Sequence, residues 1–566
     1  MQLDALRIKN FRNLRDVNVQ LAAAPVVVGE NGSGKSNLVH ALRLVLDPAL
    51  SFQQRTLTAD DFWDGIGADP MHQGAEISIS VDLVDFADEP GLLATLAGAV
   101  ITGDPSRARL TYLFRPREGH EAADPPLYEW LIHGGEDPDQ VVGGDLRTYV
   151  HLAHMQALRD AEADLASWRR SPLRPILDEI GRSVPAEQIA TVRAALNEAR
   201  DAINELEAVR TAATMIAARS RELVGDENAL DPTLGVAPTD PARALRNLRL
   251  LLDGSSQRDL EMSSLGTLNV LYLALLQAEL GRRLKNAEIE YALITIEEPE
   301  AHLHPHLQRR MFSGLQSRRD SRSSTFVTTH SPHIVSVTDP KNLLRMRATP
   351  GGADVRSART ADLLPNEWED LQRYLDATRS ELAFAKSVIL VEGFAEQVLL
   401  QRMSTSRDFD EVGLTVCAIH GTHFLPYVKF VRALGIPYAV ITDGDPNLPD
   451  GRTGADRVAR LCASLNIDES SAEAEGIFLG DVTLEVDLYK HSKGNQRLMI
   501  DALKSMIPGP SAATVEHAWS NDSIDADDVL RRIRRKKGLF AQRLASMEDL
   551  LTAPDYVQKA FDHLRS

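Results

Sequence analysis

Gly29-Glu30-Asn31-Gly32-Ser33-Gly34-Lys35-Ser36 satisfies G-x-x-x-x-G-K-[ST], and its surroundings decide the fold. Pro25-Val26-Val27-Val28 precedes it as a short apolar strand, and Leu38, Val39, Leu42, Val45 and Leu46 follow on one face of a helix. A strand that turns through glycines into a helix offers backbone N–H groups and the positive helix end to a polyphosphate. In this loop Asn31, Gly32 and Gly34 are expected to wrap the phosphates, Lys35 to neutralise their charge and Ser36 to hold Mg²⁺, with ATP as the nucleotide.

Working outward, residues 3–21 alternate apolar and polar side chains, and 75–83 and 107–116 add further β-like stretches, which predicts an antiparallel subdomain beside the loop. Downstream, Leu293-Ile294-Thr295-Ile296 is a β run ending in Glu297, Glu298, Pro299 and Glu300. Adjacent acids at a buried strand end are costly unless they coordinate something. In a phosphate-loop ATPase the first, Glu297, holds the metal and the second, Glu298, orients or deprotonates the attacking water. The next strand-like run, 324–329, ends at His330, placed to sense the γ-phosphate. Between loop and acids lies an Ala/Glu/Arg-rich helical region. Ile189, Val192, Leu196, Ala199, Ile203 and Leu206 recur there three and four apart, as in a coiled-coil seam or a packed helical hairpin.

Residues 348–362 (ATPGGADVRSARTAD) read as a linker, and a second α/β unit begins at Ser387–Val391. Its strand 388–391 runs into Glu392-Gly393-Phe394-Ala395-Glu396, and Tyr438–Thr442 runs into Asp443-Gly444-Asp445. Carboxylates at the C-terminal ends of parallel strands converge on one crevice, and oxygen ligands suit Mg²⁺ or Mn²⁺ rather than zinc. Glu485 and Asp487 supply further candidate ligands, and Lys537, at the end of the basic run 531–537 (RRIRRKK), could place a cation opposite the acids.

The 566 residues carry 62 basic against 81 acidic side chains, and the formal charge of −19 argues against a protein coated in nucleic acid through overall charge. Phosphate contact is left to local basic runs such as 308–322 and 531–537. The 2 cysteines, Cys417 and Cys462, provide neither a disulfide framework nor a thiolate zinc site. No run of about 18 apolar residues occurs and the start is not basic-then-apolar, so the expectation is a cytoplasmic protein with no membrane partner.

The separation of Lys35 from Glu297 by a helical insert resembles the ABC-type heads of the SMC and RecF group. That resemblance makes Ser263-Ser264-Leu265-Gly266 the candidate signature loop, with Ser264 and Gly266 at the γ-phosphate of a partner subunit's nucleotide, and implies a homodimer or higher homo-oligomer. The Glu-Gly turn followed by a D-x-D strand end resembles the Toprim domain. An ABC-type head followed by Toprim resembles the OLD (overcoming lysogenisation defect) nucleases, which include the nuclease subunit of Gabija anti-phage systems. Gly29–Ser36, 155–160 (MQALRD), 296–305 (IEEPEAHLHP), 329–332 (THSP), Glu392-Gly393, 443–445 and 537–541 carry the likeness.

The fold class expected is α/β: a P-loop head with a helical dimerisation insert, then a C-terminal Toprim domain. The boundaries expected are 1–159 and 226–347 for the head, 160–225 for the insert, 348–380 for a linker and 381–566 for Toprim. By the resemblance, Glu392, Glu396, Asp443, Asp445, Glu485 and Asp487 are metal ligands or their supports, and Lys537 is catalytic. The function implied is an ATP-binding, Mg²⁺- or Mn²⁺-dependent endonuclease on double-stranded DNA in anti-phage defence, with a UvrD-like helicase partner as some members have. The competing reading is a DNA-repair ATPase whose Toprim module is not catalytic.

Overall fold

In the computed structural model, residues 1–120, 126–156, 171–224, 263–317, 321–375, 379–403, 409–449, 451–507, 509–520 and 531–565 are described, with positions 124, 165, 250 and 260. They form two compact units, one of Met1–Ala157, Glu290–Glu300 and His304–Ser566, the other of Leu158–Ile289 and Ala301–Leu303.

The first unit holds three sheets. The first is antiparallel and contains β1 (Gln2–Phe11) and β2 (Leu14–Gln20); β3 (Val26–Gly29) then leaves for the second sheet. The first continues with β4 (Ile77–Val84), β5 (Val100–Ile101), β6 (Asp104–Pro116) and β7 (Tyr128–Gly134), in the order β2-β1-β4-β6-β5 with β7 paired to β6. This is the antiparallel subdomain the alternation predicts. β8 (Val150–Met155), β9 (Tyr291–Glu297), β10 (Ser323–Thr329), β11 (Leu343–Thr349) and β12 (Gly352–Ser357) complete the second sheet, ordered β12-β11-β3-β10-β9-β8. Helix α1 (Lys35–Leu46) buries Leu38, Val39, Leu42, Val45 and Leu46 in a core shared with Ile8, Ile79 and Leu110 of the first sheet and Val27, Leu152 and Phe326 of the second. Burying such side chains contributes up to about 1.5–3 kcal/mol each, which fixes the helix that the phosphate loop feeds.

Residues 348–362, expected as a linker, are ordered instead. Gly352–Ser357 pairs antiparallel with β11 in register Met346↔Val355, and Ala353 donates its N–H to the Asn13 carbonyl (2.7 Å). Thr349 and Gly352 make the turn, so the Gly-Gly that looked like flexible chain is a hairpin corner, with Gly352 at φ +108°.

The third sheet is parallel, with β13 (Ser387–Val391), β14 (Leu414–Ala418), β15 (Tyr438–Thr442) and β16 (Ile477–Leu479) in the order β14-β13-β15-β16. Strand order reverses between β13 and β15, and a crevice opens there at the carboxyl ends. Buried Arg345 of β11 ties the second sheet to the third, donating to the carbonyls of Gly435 (3.2 Å) and Ala385 (2.8 Å), the chain just ahead of β15 and β13.

The second unit is helical among its described residues: α2 (Leu173–Ser183), α3 (Ala186–Asn204), α4 (Glu207–Val224) and α5 (Leu265–Lys285). Arg282 of α5 pairs with Glu179 of α2 at 2.9 Å and with Glu279 and Glu288. On α3 the expected seam residues Val192 and Ile203 are exposed, as is Leu206 beyond its end, while Ile189 and Leu196 are half-buried. Residues 157–160 of the MQALRD stretch and 160–164 and 166–170 of the expected insert lie outside the described residues.

Candidate functional site

The phosphate loop follows from two left-handed glycines, Gly32 at φ +77° and Gly34 at φ +103°, conformations that L side chains rarely adopt. Asn13 seals the loop from below, donating to the Ser33 carbonyl at 2.8 Å, and a Cβ on Gly34 would strike its amide. The Lys35 ammonium bonds the carbonyls of Gly29 and Glu30, each at 2.9 Å. Burial lowers its pKa, against the pull of Glu298, Glu300 and Glu297. Ser36 Oγ donates to Glu297 Oε2 at 2.6 Å, so the two expected Mg²⁺ ligands already meet. Glu298 stands at φ +46°, a backbone strain of about 1–3 kcal/mol that turns its carboxylate toward His330, whose Nε2 is 3.5 Å away. Burial and then Lys35 lower the His330 pKa, against the pull of Glu298. Sequence reading missed two neighbours. His154 stands 3.5 Å from Glu297, and Glu300 Oε1 accepts from Thr329 Oγ1 (2.8 Å) and the His330 N–H (2.7 Å), bracing the end of β10.

Ser264 and Gly266 lie in the second unit. Ser264 caps α5, its Oγ accepting from the Thr267 N–H at 3.2 Å, and Gly266 is held so close to the His302 carbonyl that a Cβ would come within 2.4 Å.

The second site is built on the reversal of strand order. Glu392 directly follows β13 and Asp443 directly follows β15, at the carboxyl ends of these two neighbouring strands. Glu392 Oε1 accepts from Thr442 Oγ1 (2.6 Å), the Asp443 N–H (3.0 Å) and Arg457 Nη2 (3.2 Å). Asp445, at φ +45°, lies 2.9 Å from the same guanidinium. Across the cluster Lys537, the first residue of α7 (Lys537–Ala545), lies 3.0 Å from Glu485 Oε1 and 3.3 Å from Glu396 Oε1. Asp443 Oδ1 accepts the Leu484 N–H at 3.0 Å.

The electrostatics are those of a site short of positive charge. Burial raises Asp443 well above the carboxylate range; Lys537 offsets part of this, and Glu485, Glu392 and Glu396 add to it. Burial likewise raises Glu392 and fully buried Glu485. Burial alone would lower Lys537, yet Glu485, Glu396 and Asp443 hold it above the ordinary lysine value. Glu485 Oε2 is buried with no hydrogen-bond partner among the described residues. An orphaned buried carboxylate oxygen within an all-oxygen donor set fits a hard divalent cation. Among the described residues no three acids or histidines close around one point, and Arg457 and Lys537 are ion-paired with the carboxylates.

Asp487 is expected as a metal ligand or as a support of one. Its Oδ2 accepts the Asp481 N–H and its Oδ1 the Val482 N–H, each at 3.1 Å, so it shapes the loop after β16. The basic run lands beside the acids: Asp445, Thr483, Arg531, Arg534, Arg535 and Lys537 line a cavity of about 1000 Å³.

Two family models match this chain: an AAA ATPase domain over residues 1–88 and 172–335, and the TOPRIM domain of overcoming-lysogenization-defect-like proteins over 384–445. The OLD nuclease of Thermus scotoductus is 25% identical over 472 residues, covering 78% of this chain and 82% of that protein. Endonuclease GajA of Bacillus cereus is 22% identical over 483 residues, covering 82% and 79% respectively. Among solved structures, the C-terminal region of the Burkholderia pseudomallei OLD protein is 32% identical and covers 32% of this chain and 98% of that one, with a TM-score of 0.29. With a matching AAA ATPase domain and a matching OLD-like TOPRIM domain in one polypeptide, the chain is similar to the OLD nucleases over most of its length.

Proposed function

We propose that this protein is an ATP-binding, Mg²⁺- or Mn²⁺-dependent endonuclease that cuts double-stranded DNA in the cytoplasm as a homodimer, in defence against phage. The observation that supports it best is the convergence of Glu392, Glu396, Asp443, Asp445 and Glu485 with Lys537 at the strand-order reversal, beside an arginine-lined cavity. Divalent cations held by these acids supply Lewis-acid activation of a water and of the scissile phosphate. Lys537 places its charge where the phosphate gains negative charge, and Arg531, Arg534 and Arg535 take flanking phosphates, which orients the strand across the acids. Asp487 supports the loop that carries Glu485 rather than binding the ion.

Nucleotide is held by Asn31, Gly32, Gly34, Lys35 and Ser36, with Glu297 sharing the metal, Glu298 as base toward the attacking water and His330 at the γ-phosphate. Ser264 and Gly266 serve the partner subunit's nucleotide, and the helices of 160–225 form the dimer contact, consistent with the exposed apolar residues of α3. A UvrD-like helicase is the further partner this family reading implies.

The test is incubation of supercoiled plasmid with wild type and Glu392→Ala in Mg²⁺ or Mn²⁺, with and without ATP. Nicked or linear product from wild type alone is expected. A wild type that hydrolyses ATP but never cuts would return the repair-ATPase reading to the front.

A further inference from the structure

Arg457 belongs to no sequence motif, yet it sits in the middle of the acid cluster. Helix α6 (Gly454–Leu465) starts at a capping box in which Thr453 and Asp456 bond each other's backbone N–H groups, and this aims the next residue back at the ends of β13 and β15. The Arg457 side chain is only 9% exposed. Its Nη2 lies 3.2 Å from Glu392 Oε1, 2.9 Å from Asp445 Oδ2 and 2.6 Å from the Asp443 carbonyl, and its Nε donates to Thr442 Oγ1 at 3.2 Å.

The acids thus divide into two halves. Glu396 and Glu485 face Lys537, whereas Glu392 and Asp445 face Arg457. A divalent cation on Glu392 and Asp445 would share these carboxylates with a guanidinium that already takes one oxygen of each, and that neighbouring positive charge repels it. Arginine cannot yield by losing its proton, so it must move aside or the ion must bind more weakly.

We propose that Arg457 is a resident counter-ion that competes with the divalent cation for Glu392 and Asp445, and thereby sets the metal affinity of that half of the site. The proposal rests on the metal-site reading above. It differs from a purely structural role in sign, because removing a competitor tightens metal binding even as it loosens the metal-free fold.

The experiment is Mn²⁺ titration of nucleotide-free, full-length protein, read by the EPR signal of unbound Mn²⁺, for wild type, Arg457→Met, Arg457→Lys and Glu392→Gln, with thermal melts alongside. With both carboxylates released from their charge-assisted bonds to the guanidinium, Arg457→Met is expected to bind Mn²⁺ roughly tenfold more tightly. Its metal-free melting temperature should fall and Mn²⁺ should restore it. Arg457→Lys, which keeps the charge but cannot bridge two carboxylates, should fall between. Unchanged or weaker Mn²⁺ binding in Arg457→Met, with Glu392→Gln still weakened, overturns the competition and leaves Arg457 a structural clamp. Should Arg457→Met not fold, binding by Arg457→Lys no tighter than wild type overturns it equally. Unaltered Mn²⁺ binding in Glu392→Gln would instead sink the metal site itself.

Discussion

Burial pushes the Asp487 carboxyl up from 3.8 to about 6, even with its oxygens on the 481 and 482 backbone N–H groups. A raised carboxyl pKa means that the folded chain keeps a proton which the unfolded chain has released. The neutral form's advantage is therefore complete below about pH 4 and is lost as pH rises through about 6. We expect Asp487→Asn to remove a fall in stability of at most about 3 kcal/mol over that window, measured as the difference between wild-type and variant urea midpoints at each pH. The same logic makes cation binding at Asp443, Glu392 and Glu485 release protons, so Mn²⁺ affinity should drop as the medium is acidified, which calorimetry in buffers of different ionisation enthalpy would detect. The strand-end acids were legible in the sequence because each closes an apolar run at a glycine turn. Asp487 shares the acidic character but not the direction of Glu485, since two residues along the helix Leu484–His491 turn a side chain by about 200°. Arg457 left no trace except the Thr453/Asp456 capping box, which fixes where its helix starts and hence where it points.

At the level of elements, close backbone approaches carry the geometry. Gly444, between Asp443 and Asp445, lies so near the next strand's exit that a Cβ would fall 2.3 Å from the Asp481 carbonyl and 2.4 Å from that of Gly480. Backbone atoms cannot swing away as side chains do, so Gly444→Ala should destabilise the Toprim domain by at least about 2 kcal/mol. Equilibrium unfolding followed by circular dichroism would show it, and a wild-type midpoint would contradict the packing. Here the sequence read correctly as a D-x-D turn, but the reason for the middle glycine lies in β16 and could not be seen locally. The reverse error occurred at 348–362, where Gly, Pro and small polar residues suggested free chain. β12 is an edge strand whose pairing with β11 and proximity to Asn13 come from tertiary contacts, not from its own weak pattern.

Across the first unit, β11 links the two chemistries. Its Met346 carbonyl presses on Gly29 at the start of the phosphate loop, where a Cβ would lie 2.3 Å away. The adjacent Arg345, its pKa pushed down to about 10 by burial, holds the carbonyls of Ala385 and Gly435 ahead of β13 and β15. Replacing Arg345 by Met leaves those buried acceptors unpaired, at about 1–3 kcal/mol each. We expect a lower melting temperature and a cleavage rate that no longer responds to ATP; an unaltered response would show that coupling runs elsewhere. No helix among the described residues is long and apolar enough to cross a membrane. The nucleotide site and the acid cluster are expected to be separable, which assays of ATP hydrolysis and plasmid cleavage on the same preparations of wild type, Lys35→Ala and Asp443→Asn would decide. Asp443→Asn is expected to hydrolyse ATP at the wild-type rate without cutting, while Lys35→Ala loses hydrolysis; cutting by Asp443→Asn at the wild-type rate would rule out the acid cluster as the cleavage site.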